Sequence, residues 1–158
     1  MKMRLDASNV AIYLATLLCA ILLAWPPATQ AEQKEIFDGY EVHYNAFNST
    51  FLSPEVAKQY GIIRSKSLAL LNVSVLKLPD QSGGTPLPVA ASVKGTITNN
   101  VQQQREIDFT RITEGQAVYY LGQFQFSEND LLVFNLDATP DGSTRPLKLR
   151  FSQSFFAQ

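Results

Sequence analysis

Cysteine, histidine and tryptophan each occur once in these 158 residues. One thiol, Cys19, closes no disulfide within the chain and builds no cysteine metal knuckle. One histidine, His43, anchors no multi-histidine centre, and a metal held by Glu41 and His43, two apart on one strand face, needs ligands from elsewhere. Charge of one sign is equally scarce: 13 Lys and Arg stand against 14 Asp and Glu, with no long block of either. That removes the electrostatic case for binding nucleic acid or an anionic membrane surface. A Gly-x-Ser-x-Gly elbow and internal repeats are missing too. Gly83-Gly84 sits among Pro79, Pro86 and Pro88 without the helix and lysine of a phosphate loop, so it reads as a flexible connection.

Long apolar runs are also lacking. The one candidate, Val10 to Ala24, is interrupted by Tyr13 and Thr16, ends before Trp25-Pro26-Pro27 and falls short of the about 20 residues of a spanning helix. Lys2 and Arg4 precede it, and Thr29-Gln30-Ala31 follows with small residues where a signal peptidase cuts. Residues 1–31 are therefore expected to be a cleaved signal peptide, and residues 32–158 a single domain in the periplasm of a Gram-negative bacterium. Leu17-Leu18 before Cys19 argue against lipoprotein processing. Losing Lys2, Arg4 and Asp6 leaves a net charge of about −2 and no thiol. Such a domain must be held by packing alone.

What the remaining chain has is alternation. Tyr40, Val42, Tyr44 and Ala46 share one strand face, with Glu41, His43, Asn45 and Phe47 on the other. Leu71, Val73 and Val75 mark a second strand, and Val89, Ala91, Val93 and Ile97 a third. Ile107 and Phe109 mark a fourth, and Val118, Tyr120, Phe124 and Phe126 a fifth. Leu132, Phe134, Leu136 and Ala138 form a sixth, and Leu147, Leu149 and Phe151 a seventh. The fold expected is all-β: a two-sheet antiparallel sandwich, immunoglobulin-like in broad shape, of about seven strands. Outward positions carry Lys94, Glu106, Asp108, Lys148 and Arg150, which suits water-facing sheets and not an outer-membrane barrel. One short helix follows the first strand: Ser53 caps it, Pro54 and Glu55 suit its first turn, and Gly61 ends it. Val56, Ala57 and Tyr60 are spaced to lay it over one end of the sandwich.

Chemistry-bearing residues crowd only residues 40–66. His43, Asn45, Asn48, Tyr60 and Arg64 are the candidate binding residues, able to meet at a shallow surface that donates and accepts hydrogen bonds. The competing reading is that they knit the helix onto the sheet. Glu106 and Asp108 read as solvated charge. The tripeptides Asn48-Ser49-Thr50 and Asn72-Val73-Ser74 match a glycosylation pattern but are discounted, the second lying within a strand. No catalytic residue, metal ligand or cofactor is assigned.

The run Tyr-Glu-Val-His-Tyr-Asn-Ala-Phe-Asn-Ser-Thr-Phe-Leu at 40–52, with Pro-Glu-Val-Ala-Lys after it and Ala-Leu-Leu-Asn-Val-Ser-Val at 69–75, resembles the exported proteobacterial family catalogued as domain of unknown function 4426. The resemblance spans residues 32–158 and implies a periplasmic all-β domain. It supplies no reaction or site residues.

The function expected is non-enzymatic: a binding or protein-interaction module of the cell envelope, with an exposed strand edge able to accept a partner segment or a second copy. Two alternatives stand beside it. One is an envelope hydrolase or metal-dependent enzyme using His43, and the other a self-assembling structural subunit.

Overall fold

Ten strands, one 3-10 turn and one α-helix occupy the residues described by the computed structural model, 33–80 and 83–157. The expected signal peptide, residues 1–31, lies outside the described residues. In chain order the elements are β1 (Gln33–Phe37), β2 (Tyr40–Asn48), the 3-10 turn (Ser49–Phe51), α1 (Pro54–Gln59) and β3 (Leu68–Lys77). After them come β4 (Leu87–Pro88), β5 (Ala91–Thr98), β6 (Gln104–Ile107), β7 (Phe109–Glu114), β8 (Ala117–Gln125), β9 (Asp130–Pro140) and β10 (Leu147–Phe155). The first sheet runs β1-β2-β3-β8-β7, with β4 also on β3, and the second runs β10-β9-β5-β6. Every pairing is antiparallel.

The inward positions read from alternation form the core. Val42, Leu71, Val73, Val75, Ile97, Leu132, Phe134, Leu136 and Leu149 are almost wholly shielded from solvent, and Phe155, which continues the same face of β10 beyond the positions read from sequence, joins them. An aromatic column runs through the space between the sheets. Phe134 lies flat on Phe151 with centroids 4.6 Å apart, Tyr44 follows at 4.5 Å from Phe151, and Phe124 and Phe155 meet edge to face at 5.4 Å.

The all-β sandwich is the fold found, but with ten strands where alternation marks seven. Strand β1 opens on Gln33, Lys34 and Glu35, which have no β preference, and only Ile36 and Phe37 carry a strand signal, too short to show alternation. It forms because Asp38-Gly39 makes a hairpin turn, with Gly39 at φ +75°. Strand β4 is too short for any periodicity. The expected fourth strand is two strands in different sheets: the chain leaves the second sheet after Ile107 and enters the first at Phe109. Both side chains still meet the core, so the period-two pattern runs unbroken through a change of sheet.

Two glycines make that corner possible. A methyl on Gly95 would lie 2.5 Å from Leu136 Cδ2 and 3.2 Å from the Phe109 ring. One on Gly122 would collide with Ile107 Cγ2 and lie 3.2 Å from the other side of the same ring.

Side chains stitch the seams between the sheets. Asn48 Nδ2 donates to the Phe156 carbonyl at 2.8 Å, and Gln153 Nε2 to the Ala46 carbonyl at 2.8 Å, joining the end of β2 to β10. On the opposite seam the Arg105 guanidinium donates to the Gln125 carbonyl at 2.8 Å. Removing either amide, by Asn48→Ala or Gln153→Ala, should cost about 1 kcal/mol in urea unfolding. Asn45→Ala, one strand face away and exposed, should stay within about 0.5 kcal/mol. Equal effects for Asn45 and Asn48 would remove the seam from the account.

Candidate functional site

The helix is closed at both ends by its own sequence. Ser53 Oγ accepts from the Val56 amide at 3.3 Å, and Pro54 occupies the first turn. At the far end Gly61 takes φ +66°, its amide reaches the Lys58 carbonyl at 3.3 Å, and the Ile62 amide reaches Ala57 at 2.8 Å, a Schellman closure. Ala57 is buried while Val56 remains 38% exposed.

Helix α1 lies on the outer face of the first sheet, not over an end of the sandwich, because that face is apolar where it should be wet. Leu70 of β3 points outward yet is 1% exposed. Register places Phe47 and Gln123 on either side of Leu70, Leu121 beside Asn72, and Ile112 beside Tyr119. The segment on each side of α1 is tied down. Ser49 Oγ accepts from the Ser65 amide at 2.9 Å, Arg64 donates to the Thr50 carbonyl at 3.2 Å, and Gln123 Nε2 to the Ile63 carbonyl at 2.6 Å. At the rim, the Tyr60 hydroxyl donates to Glu114 Oε1 and joins the helix end to β7.

Between helix and sheet a groove of about 210 Å³ remains, floored by Leu70, Asn72, Tyr119 and Leu121 and walled by Phe47, Leu52, Val56 and Ile62. Asn72 Oδ1 is shut off from solvent and has no hydrogen-bond partner among the described residues.

Beyond Tyr119 a second hollow of about 200 Å³ is lined by His43, Ser74, Leu76 and Pro88. His43 Nε2 and Glu41 Oε1 are 2.8 Å apart, and the Lys34 ammonium donates to the other carboxylate oxygen at 3.2 Å. The His43 bond holds the Glu41 carboxyl below its ordinary 4.5; burial opposes this, and Lys34 assists. A carboxyl depressed in the fold adds stability above about pH 4.5 that is lost as pH falls through the lowered value. In His43→Ala, the Glu41 carboxyl followed by NMR should titrate at higher pH, and the loss of stability below pH 4.5 should flatten. An unmoved Glu41 midpoint would show that His43 is not the cause.

The five sequence candidates are thus divided. Tyr60 lines the groove, and His43 the neighbouring hollow. Asn45 is exposed on the same face, directly opposite Asn72. Asn48 faces inward and closes a seam, and Arg64 braces the turn before the helix. The groove is also lined by Asn72, Tyr119, Leu121 and Ile112, none of them among the five candidates. Their signal was present in Leu68-Ala69-Leu70-Leu71, apolar on both strand faces, which marks a sheet covered on both sides.

The family described as Domain of unknown function (DUF4426) matches residues 34–158. The crystal structure of a DUF4426 family protein from Pseudomonas aeruginosa PAO1 is similar at 33% identity and a TM-score of 0.69, over 82% of this chain and 98% of that one. FetP of uropathogenic E. coli strain F11, recombinantly expressed in the periplasm of E. coli, is similar at 11% identity and a TM-score of 0.56, over 81% of this chain and 95% of that one. A copper-bound variant of the same FetP aligns at 11% identity and 0.56, over 81% and 97%. At that identity the two FetP structures show a shared fold. No curated protein matches the chain.

Proposed function

The chain belongs to the DUF4426 family, and from that premise we propose that it is a non-enzymatic binding module of the cell envelope, acting in the periplasm. The observation that carries this reading is the mostly apolar groove under α1, on a sheet face that would otherwise meet water. A groove closed by a capped helix and braced by Arg64 and Gln123 is largely pre-formed, which lowers the ordering cost of binding. Among the described residues no helix is long and apolar enough to cross a membrane.

Copper is named for one fold neighbour, and the residues here do not fit it. Among the described residues no three His, Cys, Asp or Glu group closely enough to hold a metal ion, while His43 and Lys34 both engage the Glu41 carboxylate.

Photocrosslinking side chains at Val56 and Tyr119, in cells, test the binding reading. One discrete adduct in the mass spectrum of the recovered chain, whether a protein or a small mass, is the expected result. A smear of random products at both positions counts against it.

An envelope hydrolase is the second reading, favoured by one observation. Register sets Ser74 opposite His43, so hydroxyl, imidazole and carboxylate follow one another across a strand pair. Fluorophosphonate labelling that disappears in both Ser74→Ala and His43→Ala would establish it; an unlabelled wild-type protein would end it.

A further inference from the structure

The corner between the sheets leaves part of β5 without a neighbour. Strand β9 pairs with β5 along the whole of Ala91–Thr98, whereas β6 pairs only with its residues from Gly95 onward before the chain departs for the first sheet. Backbone groups alternate between the two edges of a strand, and odd-numbered residues of β5 address the β6 side. Just past β5 the Asn99 amide donates to the Gln103 carbonyl at 3.1 Å, and at its start the Ala91 amide donates to the Tyr120 hydroxyl at 2.7 Å. Even-numbered positions face β9, as the Ala90 carbonyl does in accepting from the Asp141 amide at 2.8 Å. Tyr120 therefore closes this edge at Ala91, and β6 closes it from Gly95. Between them Val93, partly exposed, has no ladder partner on that side among the described residues. Beside it lies a hollow of about 460 Å³, walled by Ile107, Asp108 and Phe109 and reaching Glu106 and Asp137. From Ala91 to Gly95 an extended chain advances about 13 Å, at about 3.3 Å per residue, which is room for three residues laid beside β5.

Side-chain parity sets what those three residues are. The middle one, opposite Val93, turns inward to where Val93, Ile107 and Phe109 are apolar, and the two beside it turn outward. On the outer side Lys94 stands opposite Asp137, which leaves Glu106 and Asp108 to give the hollow its negative sign. We propose that this hollow is a second binding site, where an extended segment of a partner protein with a basic–apolar–basic sequence adds to β5 at Val93. A residue in extended conformation presents its own N–H and C=O on one side, so it exchanges both hydrogen bonds with Val93. A bare cation gains the charge and loses that pair of bonds. The site shares no lining residue with the groove under α1 and does not rest on it.

Hydrogen exchange followed by NMR on the full-length chain tests the edge first. The Val93 amide should exchange at least tenfold faster than those of Gly95 and Ile97, and equal protection overturns the proposal. Titration with acetyl-Lys-Val-Lys-amide should then shift the amides of Val93, Lys94 and Phe109 and slow exchange at Val93. Two altered peptides separate backbone from charge. Methylating the central amide nitrogen removes the N–H meant for the Val93 carbonyl, and glutamate in place of both lysines reverses the charge; each should weaken binding at least tenfold at low salt. Glu106→Gln combined with Asp108→Asn, both at exposed positions, should keep the wild-type spectrum elsewhere and bring the Lys-Val-Lys and Glu-Val-Glu peptides to similar affinity. Lysine amide that shifts the same residues as strongly would mean an adventitious cation only and overturn strand addition. Equal affinity for the methylated peptide, or no shift at Val93, does the same. Val93 shifts that grow with protein concentration alone would give the edge to a second copy and overturn the partner assignment.

Discussion

Replacing Phe134 by alanine should cost about 3–5 kcal/mol, a large part of the about 5–15 kcal/mol that holds a domain of this kind together. Phe134 is 0% exposed and sits at the centre of the aromatic column. It is stacked within 8° of parallel on Phe151, at 5.3 Å from Phe124 and 6.3 Å from Phe155. Truncation removes the ring's own transfer free energy and leaves a void bounded by three rings. Those rings stand on strands β8 and β10, which are fixed by their own ladders and cannot close inward. No disulfide shares the load among the described residues, since the chain's one cysteine precedes them. Urea unfolding should show a lowered midpoint at unchanged slope. The exposed Phe51, at 60%, supplies the control: Phe51→Ala should move stability by no more than about 0.5 kcal/mol. Comparable losses for the two would mean that the column does not carry the core.

Gly122→Val should destabilise by about 3 kcal/mol, at the upper end of what overpacking costs in a core. At an ordinary strand position the same change would help, by about 0.5–1 kcal/mol, because glycine has more backbone freedom to lose. Here the first added carbon already collides with Ile107 Cγ2. That methyl is fixed on a branched Cβ in a buried side chain and cannot swing away. Phe109 closes the other direction, its ring held between Gly122 and Gly95. Gly95→Ala should be milder, since the atom it meets is the far end of Leu136. Combining Gly122→Val with Ile107→Ala should recover part of the loss, giving a coupling of about 1 kcal/mol or more in thermal unfolding. Strict additivity would show that the two residues do not compete for one space.

The sheet switch between Ile107 and Phe109 explains why alternation marks one strand where there are two. Ile107 and Phe109 keep their inward parity across the corner, so a pattern with period two carries no mark of the change from one sheet to the other. The helix was legible to its caps, because Ser53, Pro54 and Gly61 act locally on backbone groups within one turn. Its resting place was not, since that depends on Leu70, Leu121 and Ile112 from three strands presenting one apolar face.

The candidate site divides in the same way. Tyr60 and His43 were identified by residue type, and both line hollows on the outer face. Asn48 and Arg64 were identified by the same reasoning but serve the scaffold, because an amide or guanidinium looks alike in sequence whether it meets a ligand or a carbonyl. Asn72 looked like an ordinary outward amide in a strand. Its place in the groove floor follows from pairing with Asn45 on one side and Leu121 on the other.

By itself the sequence determined the all-β class, the inward face of each main strand, the capped helix and the family. These follow from side-chain period and local backbone chemistry, which are written residue by residue. Only the tertiary structure decided which sheet each strand joins, that Gly95 and Gly122 admit Phe109, and that a mostly apolar groove lies beneath α1. Those depend on distances between residues far apart in the chain, set by packing that no short window of sequence contains.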